Sequence, residues 1–140
     1  MTGKMKREYI KWLSDFGKCE MFCDVTLSFN PYFTYGFNRK NKVRKCHRDE
    51  SVAQFIKRLN RKVFGSANKR YGRKLYCIPV DESNKYEDRF HTHILLEIPE
   101  RYYGDVDAFF SLIRNIVNQL ECFEKGKHAQ HLIRKIKNKN

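Results

Sequence analysis

Residues 89–99, RFHTHILLEIP, constrain the fold more than any other stretch, because they alternate in polarity around two histidines. Successive side chains of a β-strand point to opposite faces of its sheet. A strand here places Phe90 and Ile94 on one face, which is suited to packing against helices. It places His91 and His93 on the other face, a few ångströms apart.

Two imidazoles at the spacing of His91 and His93 can bind one divalent cation. The alternative is that both are ordinary strand residues whose ring nitrogens are satisfied by hydrogen bonds. The pair therefore predicts either a metal site or a polar patch, on a sheet face that helices leave uncovered.

A second segment, 21–31, alternates in the same way and has the sequence MFCDVTLSFNP. It predicts a strand with one face in the core, and Asp24, Thr26 and Ser28 occupy its polar face. If this strand adjoins the histidine strand, these three polar side chains lie beside the imidazoles.

Apolar residues at helical spacing predict the helices that cover the sheet. One helix takes Asp49 as its N-cap and ends at Gly65, and a longer one takes Asp105 as its N-cap. A short N-terminal helix precedes the first strand. Between the longer helices, LYCIPV at 75–80 predicts another strand, in which Pro79 indicates an edge position or a bulge.

The predicted elements follow the order helix, strand, helix, strand, strand, helix, and the basic segment 126–140 favours a last helix. The inner part is β-α-β-β-α, which is most of a ferredoxin-like split βαβ unit. We therefore predict an α+β fold with an antiparallel sheet, helices on one face and an open DNA-binding face. A chain of 140 residues has the size of one domain, which we predict to span 1–140.

The chain is strongly basic, with 29 Lys and Arg against 16 Asp and Glu and a formal net charge of +13. A polyanion is therefore the first partner to consider: nucleic acid leads, and an anionic membrane surface comes second. No apolar run is long enough to span a bilayer, and the N-terminus lacks the apolar core of a signal peptide. We expect a cytoplasmic protein with no membrane partner, and the scattered cysteines predict buried thiols rather than a zinc site.

The strand DVTLSF, followed further along the chain by HTHILLEIP, resembles motifs one and two of the HUH endonucleases. This family includes the replication initiators of rolling-circle plasmids and single-stranded DNA viruses, together with relaxases and related transposases. Its second motif is His-hydrophobic-His, and Thr92 takes the middle position here. The resemblance covers roughly residues 22–120 in the order of elements.

The resemblance implies a site-specific nickase of single-stranded or hairpin DNA at a replication origin, working with the host replication machinery. In the family, two histidines and a third polar side chain hold Mg²⁺ or Mn²⁺, and a tyrosine forms a covalent 5′-phosphotyrosine link. His91, His93 and Glu82 would be the metal ligands here. Asp81 is the alternative to Glu82, since a one-residue slip in register exchanges their faces, and a solvated hairpin acid remains a third interpretation.

The family's third motif is Tyr-x-x-x-Lys or Tyr-x-x-Lys on a helix, but no tyrosine follows Tyr103 in this chain. His131 and Lys135 have the right spacing in a segment that favours a helix, and the resemblance makes them the catalytic candidates, with Lys135 orienting phosphate or metal-bound water. Phe123 begins a second segment of the same spacing. Tyr9 is the alternative in a relaxase-like arrangement, although its apolar helical stripe also favours a core position. Tyr102 and Tyr103 would have to fold back over the sheet to reach the metal.

The stretch 32–45, YFTYGFNRKNKVRK, combines rings that can stack on unpaired bases with cations for a nucleic-acid backbone. A solvated loop with a few core-packed rings is the alternative. The residues predicted to contact nucleic acid are Asp24, Thr26, Ser28, Tyr32, Tyr35, Arg39, Lys40, Lys42, Arg44 and Lys45.

Two other functions remain open at the level of the sequence. A DNA-binding protein of the same fold that has lost cleavage agrees with the missing tyrosine. A ferredoxin-like RNA-binding or RNA-processing domain, in which a histidine acts as general acid or base without a metal, is the second.

Overall fold

The predicted helices and strands follow one another in the expected order up to the last element, and the structure also has a short hairpin within residues 32–42 and a short helix at 66–71. The computed structural model describes residues 3–15, 21–35, 39–84, 89–125 and 131–137. Its helices are α1 (Gly3–Asp15), α2 (Lys45–Phe64), α3 (Ser66–Tyr71) and α4 (Val106–Asn118), with a 3-10 turn at Glu100–Tyr102. Its strands are β1 (Met21–Ser28), β2 (Tyr32–Tyr35), β3 (Arg39–Lys42), β4 (Cys77–Asn84), β5 (Arg89–Glu97) and β6 (Leu132–Lys137).

Four of the strands form one antiparallel sheet in the order β4-β5-β1-β6, and β2 pairs with β3 in a separate hairpin. The two alternating segments of the sequence, β1 and β5, are thus neighbours at its centre. This arrangement is an α+β fold of the ferredoxin-like class, so the predicted fold is confirmed. None of the helices in the described part of the chain is long and apolar enough to cross a bilayer.

The main core lies between one face of this sheet and helices α2 and α4. Apolar side chains at alternate positions of β1 and β5 meet the apolar stripes of the two helices, and removing this surface from water is the largest favourable contribution to folding. The fully buried members of this core include Val25, Leu27, Phe55, Leu59, Ile94, Leu96, Phe109, Ile113 and Phe123.

Helix α2 begins one turn earlier than predicted, so the assignment of Asp49 as its N-cap is wrong. The helix starts at Lys45, and the His47 ring accepts a hydrogen bond from the backbone N–H of Arg44 at 2.9 Å. The imidazole at the third helical position therefore binds the N–H of the N-cap residue, as the Glu or Gln of a capping box does. The predicted end at Gly65 is confirmed, with a φ of 56° that favours glycine.

Strand β4 lies at the edge of the sheet, as Pro79 indicated. The strand is longer than the predicted segment 75–80 and continues to Asn84, through residues that were expected to turn. Pairing explains the extension, because β4 remains hydrogen-bonded to β5 as far as Asn84 opposite Arg89.

The predicted C-terminal helix is wrong, because residues 132–137 form strand β6 along the free edge of β1. A short basic segment carries too few apolar positions to distinguish helix from strand by its period. Here the unpaired backbone groups of β1 decide the outcome, since a strand placed beside them satisfies both edges.

The face that carries the histidines is not open along its whole length, contrary to the prediction. Helix α1 lies over one end of it, where Ile10 packs against the fully buried Phe22 and Leu95 together with Ile78 and Ile136. The opposite end, towards the N-terminus of β5, carries the histidines.

Candidate functional site

His91 and His93 lie on the same face of the sheet, at the N-terminal end of β5. On one side β1 places Ser28 opposite His91 and Thr26 opposite His93. On the other side β4 places Glu82 opposite His91. Directly paired residues of an antiparallel sheet share a face, so the register brings both imidazoles, one carboxylate and two hydroxyl groups together.

The His93 ring has a hydrogen-bond partner at both nitrogens. Its Nδ1 lies 3.1 Å from the hydroxyl oxygen of Thr26, and its Nε2 contacts a carboxylate oxygen of Glu82. These two partners fix the orientation of the ring. The side chains of His93 and Glu82 remain 22% and 43% exposed, so a dissolved ion can reach them.

The His91 ring contains a buried nitrogen, Nδ1, for which the described part of the chain offers no hydrogen-bond partner, and the same holds for the buried hydroxyl of Ser28 on the neighbouring strand. An unsatisfied buried polar group costs about 1 to 3 kcal/mol. Such groups are rare in folded proteins and occur where a ligand, an ion or a water completes the site. At Ser28 and His91 a ligand, an ion or an ordered water would satisfy these two atoms.

The structure separates the two acids that the sequence offered as a third ligand. Glu82 lies on the histidine face, whereas Asp81 lies opposite Thr92 on the helix-packed face. There the Asp81 carboxylate pairs with the guanidinium of Arg48 at 3.5 Å. Of the two carboxylates, Glu82 alone can join the histidines.

The chemistry of this donor set fits a divalent cation, although its geometry is not yet that of a metal cage. No three His, Cys, Asp or Glu side chains of the described residues are arranged to hold an ion. The contact between His93 and Glu82 would have to open to admit one. Two imidazoles and a carboxylate suit Mn²⁺ in particular, with oxygen ligands from water or phosphate completing the shell.

The geometry gives no support to His131 and Lys135 as catalytic groups. The His131 ring accepts a hydrogen bond from the backbone N–H of Ser28 at 3.1 Å and donates one to the carbonyl of Glu124 at 2.7 Å. Both ring nitrogens are therefore hydrogen-bonded to backbone groups, and neither is free to act as a nucleophile or a base. Lys135 lies opposite Cys23 in the register, which directs it to the face away from the histidines. Lys135 points away from the histidines because residues 132–137 form strand β6 instead of the predicted helix.

The possible tyrosine nucleophiles lie on different sides of the sheet. Tyr102 packs on the Phe109 ring, with centroids 5.2 Å apart, in the core on the helix side. Tyr9 belongs to α1, whose Lys6 and Ile10 contact the histidine face. The side chain of Tyr9 lies outside the described residues.

Asp24 is not available to nucleic acid, contrary to the prediction. It is 3% exposed, and its carboxylate accepts hydrogen bonds from the ammonium of Lys6 and, at 3.3 Å, from the guanidinium of Arg134. Thr26 and Ser28 also serve the fold and the site rather than a surface: Thr26 holds His93, and Ser28 is buried. Sequence reasoning missed both cations, because they lie far from Asp24 along the chain.

We expect the substitution Asp24→Asn to lower the free energy of unfolding by about 1 to 3 kcal/mol, because two cations lose their buried charged acceptor. Urea unfolding followed by circular dichroism measures the change. Asp107→Asn is the matched control, since Asp107 is exposed on α4. An equal, small effect of both substitutions would contradict a buried ionic role for Asp24.

The hairpin of β2 and β3, here called the basic hairpin, follows β1 at the histidine end of the sheet. Its base is closed by a hydrogen bond from the backbone N–H of Val43 to the carbonyl of Pro31 at 2.9 Å. Among the predicted nucleic-acid contacts, the exposed side chains are Tyr32, Lys42, Arg44 and Lys45. The backbone of Tyr35, Arg39 and Lys40 belongs to β2 and β3, and their side chains lie outside the described residues.

Two thiols are excluded from nucleophilic chemistry near neutral pH. Burial raises the pKa of the Cys77 thiol to about 12, and burial together with the charge of Asp24 raises the pKa of Cys23 still further. The reactive and metal-binding form of cysteine is the thiolate, which neither residue supplies under these conditions. The prediction of buried thiols holds for Cys23, whereas Cys46 is exposed; Cys19 lies outside the described residues.

Comparison of the chain with protein-family models, curated proteins and solved structures gave no match.

Proposed function

We propose that this protein is a divalent-metal-dependent endonuclease that nicks and rejoins single-stranded DNA, initiating rolling-circle replication of a virus, phage or plasmid. The observation that carries the proposal is the convergence of His91, His93 and Glu82 on one face of the sheet. The host cytoplasm as its location, and the host replication machinery as its partner, belong to the same proposal.

The chain's own residues have distinct parts in this activity. A divalent cation, Mn²⁺ or Mg²⁺, would be held by His91, His93 and Glu82. When bound, it would neutralise the negative charge that builds on the scissile phosphate. Thr26 is a positioning residue, because its hydroxyl binds Nδ1 of His93 and leaves Nε2 directed towards Glu82. Partners of this kind orient metal-binding histidines in proteins generally.

The basic hairpin supports a single-stranded substrate. Exposed Lys42 of the hairpin and exposed Arg44 just before α2 can neutralise phosphates, as can Lys45 if it leaves its ion pair with Asp49. The exposed ring of Tyr32 can stack on an unpaired base. The hairpin starts at the end of β1 that carries the site, so a strand bound along it runs towards the histidines. The net charge of +13 favours the same class of partner.

Tyr9 is the nucleophile that this arrangement favours. Its helix, α1, contacts the histidine face through Lys6 and Ile10, whereas Tyr102 packs in the helix-side core. In the proposed step the phenolate oxygen of Tyr9 forms a bond to phosphorus. The bond from phosphorus to the 3′-oxygen breaks at the same time. The tyrosine hydroxyl gives its proton to solvent and the leaving 3′-oxygen takes one from solvent, which leaves a free 3′-OH and a 5′-phosphotyrosine.

A second candidate function is metal-dependent DNA binding without cleavage. The observation in its favour is that His131, which occupies the position of the third motif, is held by backbone groups at both ring nitrogens. If Tyr9 does not reach the phosphate, the same face still binds a cation and a strand.

Incubation of the dialysed protein with labelled single strands of randomised core sequence, with Mn²⁺ or with EDTA, tests the proposal. We expect Mn²⁺-dependent cleavage and a covalent adduct on a denaturing gel, and loss of the adduct with retained binding in Tyr9→Phe. Mn²⁺-dependent binding with neither product would favour the second candidate. Metal-independent cleavage of a matching RNA pool would overturn the endonuclease assignment.

A further inference from the structure

A cavity of about 310 Å³ lies on the helix side of the sheet, between the first turns of α2 and the edge strand β4. Its volume is at the lower end of the range for pockets that bind small molecules. Thr92, which stands between the two histidines and faces away from them, forms part of its floor. Its apolar walls are Phe29, Val52, Ile56 and Pro79.

Arg48 lines this cavity and has a donor without an acceptor. The residue is 6% exposed, and its guanidinium lies 4.0 Å from the centre of the Phe90 ring. One of its terminal nitrogens pairs with Asp81, but the buried Nε has no hydrogen-bond partner among the residues that the structure describes. Because the N–H groups of a guanidinium lie in its plane, the missing acceptor belongs in that plane, beside the face that Phe90 covers.

The charge of the cavity argues against an anion as the missing group. Arg48 contributes one positive charge, whereas Asp49 and Asp81 line the same space with carboxylates. A phosphate or free carboxylate would be placed beside two like charges. A neutral, planar group that offers both acceptors and donors fits the apolar walls and the mixed polar atoms.

We propose that this cavity binds a guanine base. Guanine presents O6 and N7 as acceptors for an arginine, which is the commonest specific contact between protein and base. It also carries N–H groups that a carboxylate such as Asp81 accepts. The apolar side chains above and below would cover the faces of the ring.

The position of the cavity connects it to the bound strand, and in this respect the inference rests on the proposed function. Asp81 and Glu82 are consecutive residues of the edge strand β4 and point to opposite faces. A DNA strand that crosses the histidine face can turn over this edge and reach the cavity, because packed layers of secondary structure lie only ~10 Å apart. The cavity would then read one base beside the cleavage position.

Binding of the four deoxynucleoside 5′-monophosphates to the full chain in EDTA, by calorimetry, tests the base assignment. All four nucleotides carry the same phosphate, so differences between their affinities report the contribution of the base. We expect dGMP to bind about fivefold or more tightly than the other three, as one good arginine–guanine pair discriminates by at least this factor. Four equal affinities, or no binding, would overturn the inference.

Ala53→Phe fills the mouth of the cavity from an exposed position of α2, and it avoids the risk that a substitution of buried Arg48 prevents folding. We expect it to remove the preference for dGMP. Ala108→Phe, the same change at an exposed position of α4, is the matched control and should leave the preference intact. A preference that survives Ala53→Phe would also contradict the proposal.

The two proposals fail separately in these experiments. Binding of dGMP is measured in EDTA and so does not depend on the metal. Selective dGMP binding without Mn²⁺-dependent DNA cleavage would therefore count against the endonuclease proposal alone. Cleavage without selective dGMP binding would count against the guanine pocket alone.

Discussion

Replacement of either His91 or His93 by alanine is expected to lower the affinity for Mn²⁺ at least about 100-fold and to abolish cleavage. Loss of an outer-shell partner alone costs a metal site about 10- to 100-fold, so loss of a ligand should cost more. The two imidazoles share one face with Glu82, and the removal of one leaves too few donors to hold the ion. Calorimetric titration with Mn²⁺ and single-turnover cleavage measure the two effects.

His47→Ala controls for the loss of an imidazole. His47 lies in the first turn of α2, where it binds the backbone N–H of Arg44. We therefore expect the substitution His47→Ala to leave the Mn²⁺ affinity unchanged. Thr26→Val removes only the hydroxyl that orients His93 and should lower the affinity by roughly 10-fold or more. If His91→Ala and His93→Ala bind Mn²⁺ as tightly as the unaltered protein does, the histidines are not its ligands.

Phe123→Ala is expected to lower the free energy of unfolding by about 3 to 5 kcal/mol, a large share of a domain's total stability. Phe123 is fully buried; its ring stacks on Phe29 at 5.0 Å and meets the edges of Phe55 and His131. Truncation leaves a cavity where the end of β1, helix α2 and the start of β6 meet. Urea unfolding, followed by circular dichroism, measures the loss.

Tyr71→Ala is the matched control for Phe123→Ala, because it removes an aromatic ring that is 77% exposed. We expect it to change the free energy of unfolding by no more than about 0.5 kcal/mol. Similar effects of both substitutions would mean that Phe123 does not anchor the core. Phe123→Ala should also weaken Mn²⁺ binding, since His131 beside it holds the backbone of Ser28 next to His91.

Pairing across the sheet explains why the site forms at this end. Glu82, His91 and Ser28 stand in one row across β4, β5 and β1, and Thr26 stands beside His93 in the next row. The other end of the same face is covered by α1 and sealed by Phe22 and Leu95. The polar end, where His93 and Glu82 remain partly exposed, is therefore the part of this face that can receive a ligand.

The faces of the two central strands could be predicted from the sequence, because side-chain alternation is a property of each strand by itself. This local rule placed His91 and His93 together on one face of their strand, and Thr26 on the polar face of the other strand, before any pairing was known. The N-cap at Asp105 was predicted for the same reason: its carboxylate accepts a hydrogen bond from the N–H of Ala108, only three residues away.

Only the tertiary structure could decide which distant groups meet on those faces. Asp24 looked like a surface acid, but Lys6 and Arg134 come from α1 and β6 to bury it. The choice between Glu82 and Asp81 required the register of β4, and the C-terminal strand required the free edge of β1. Each of these outcomes depends on contacts between residues far apart in sequence, whose free energies no local pattern contains.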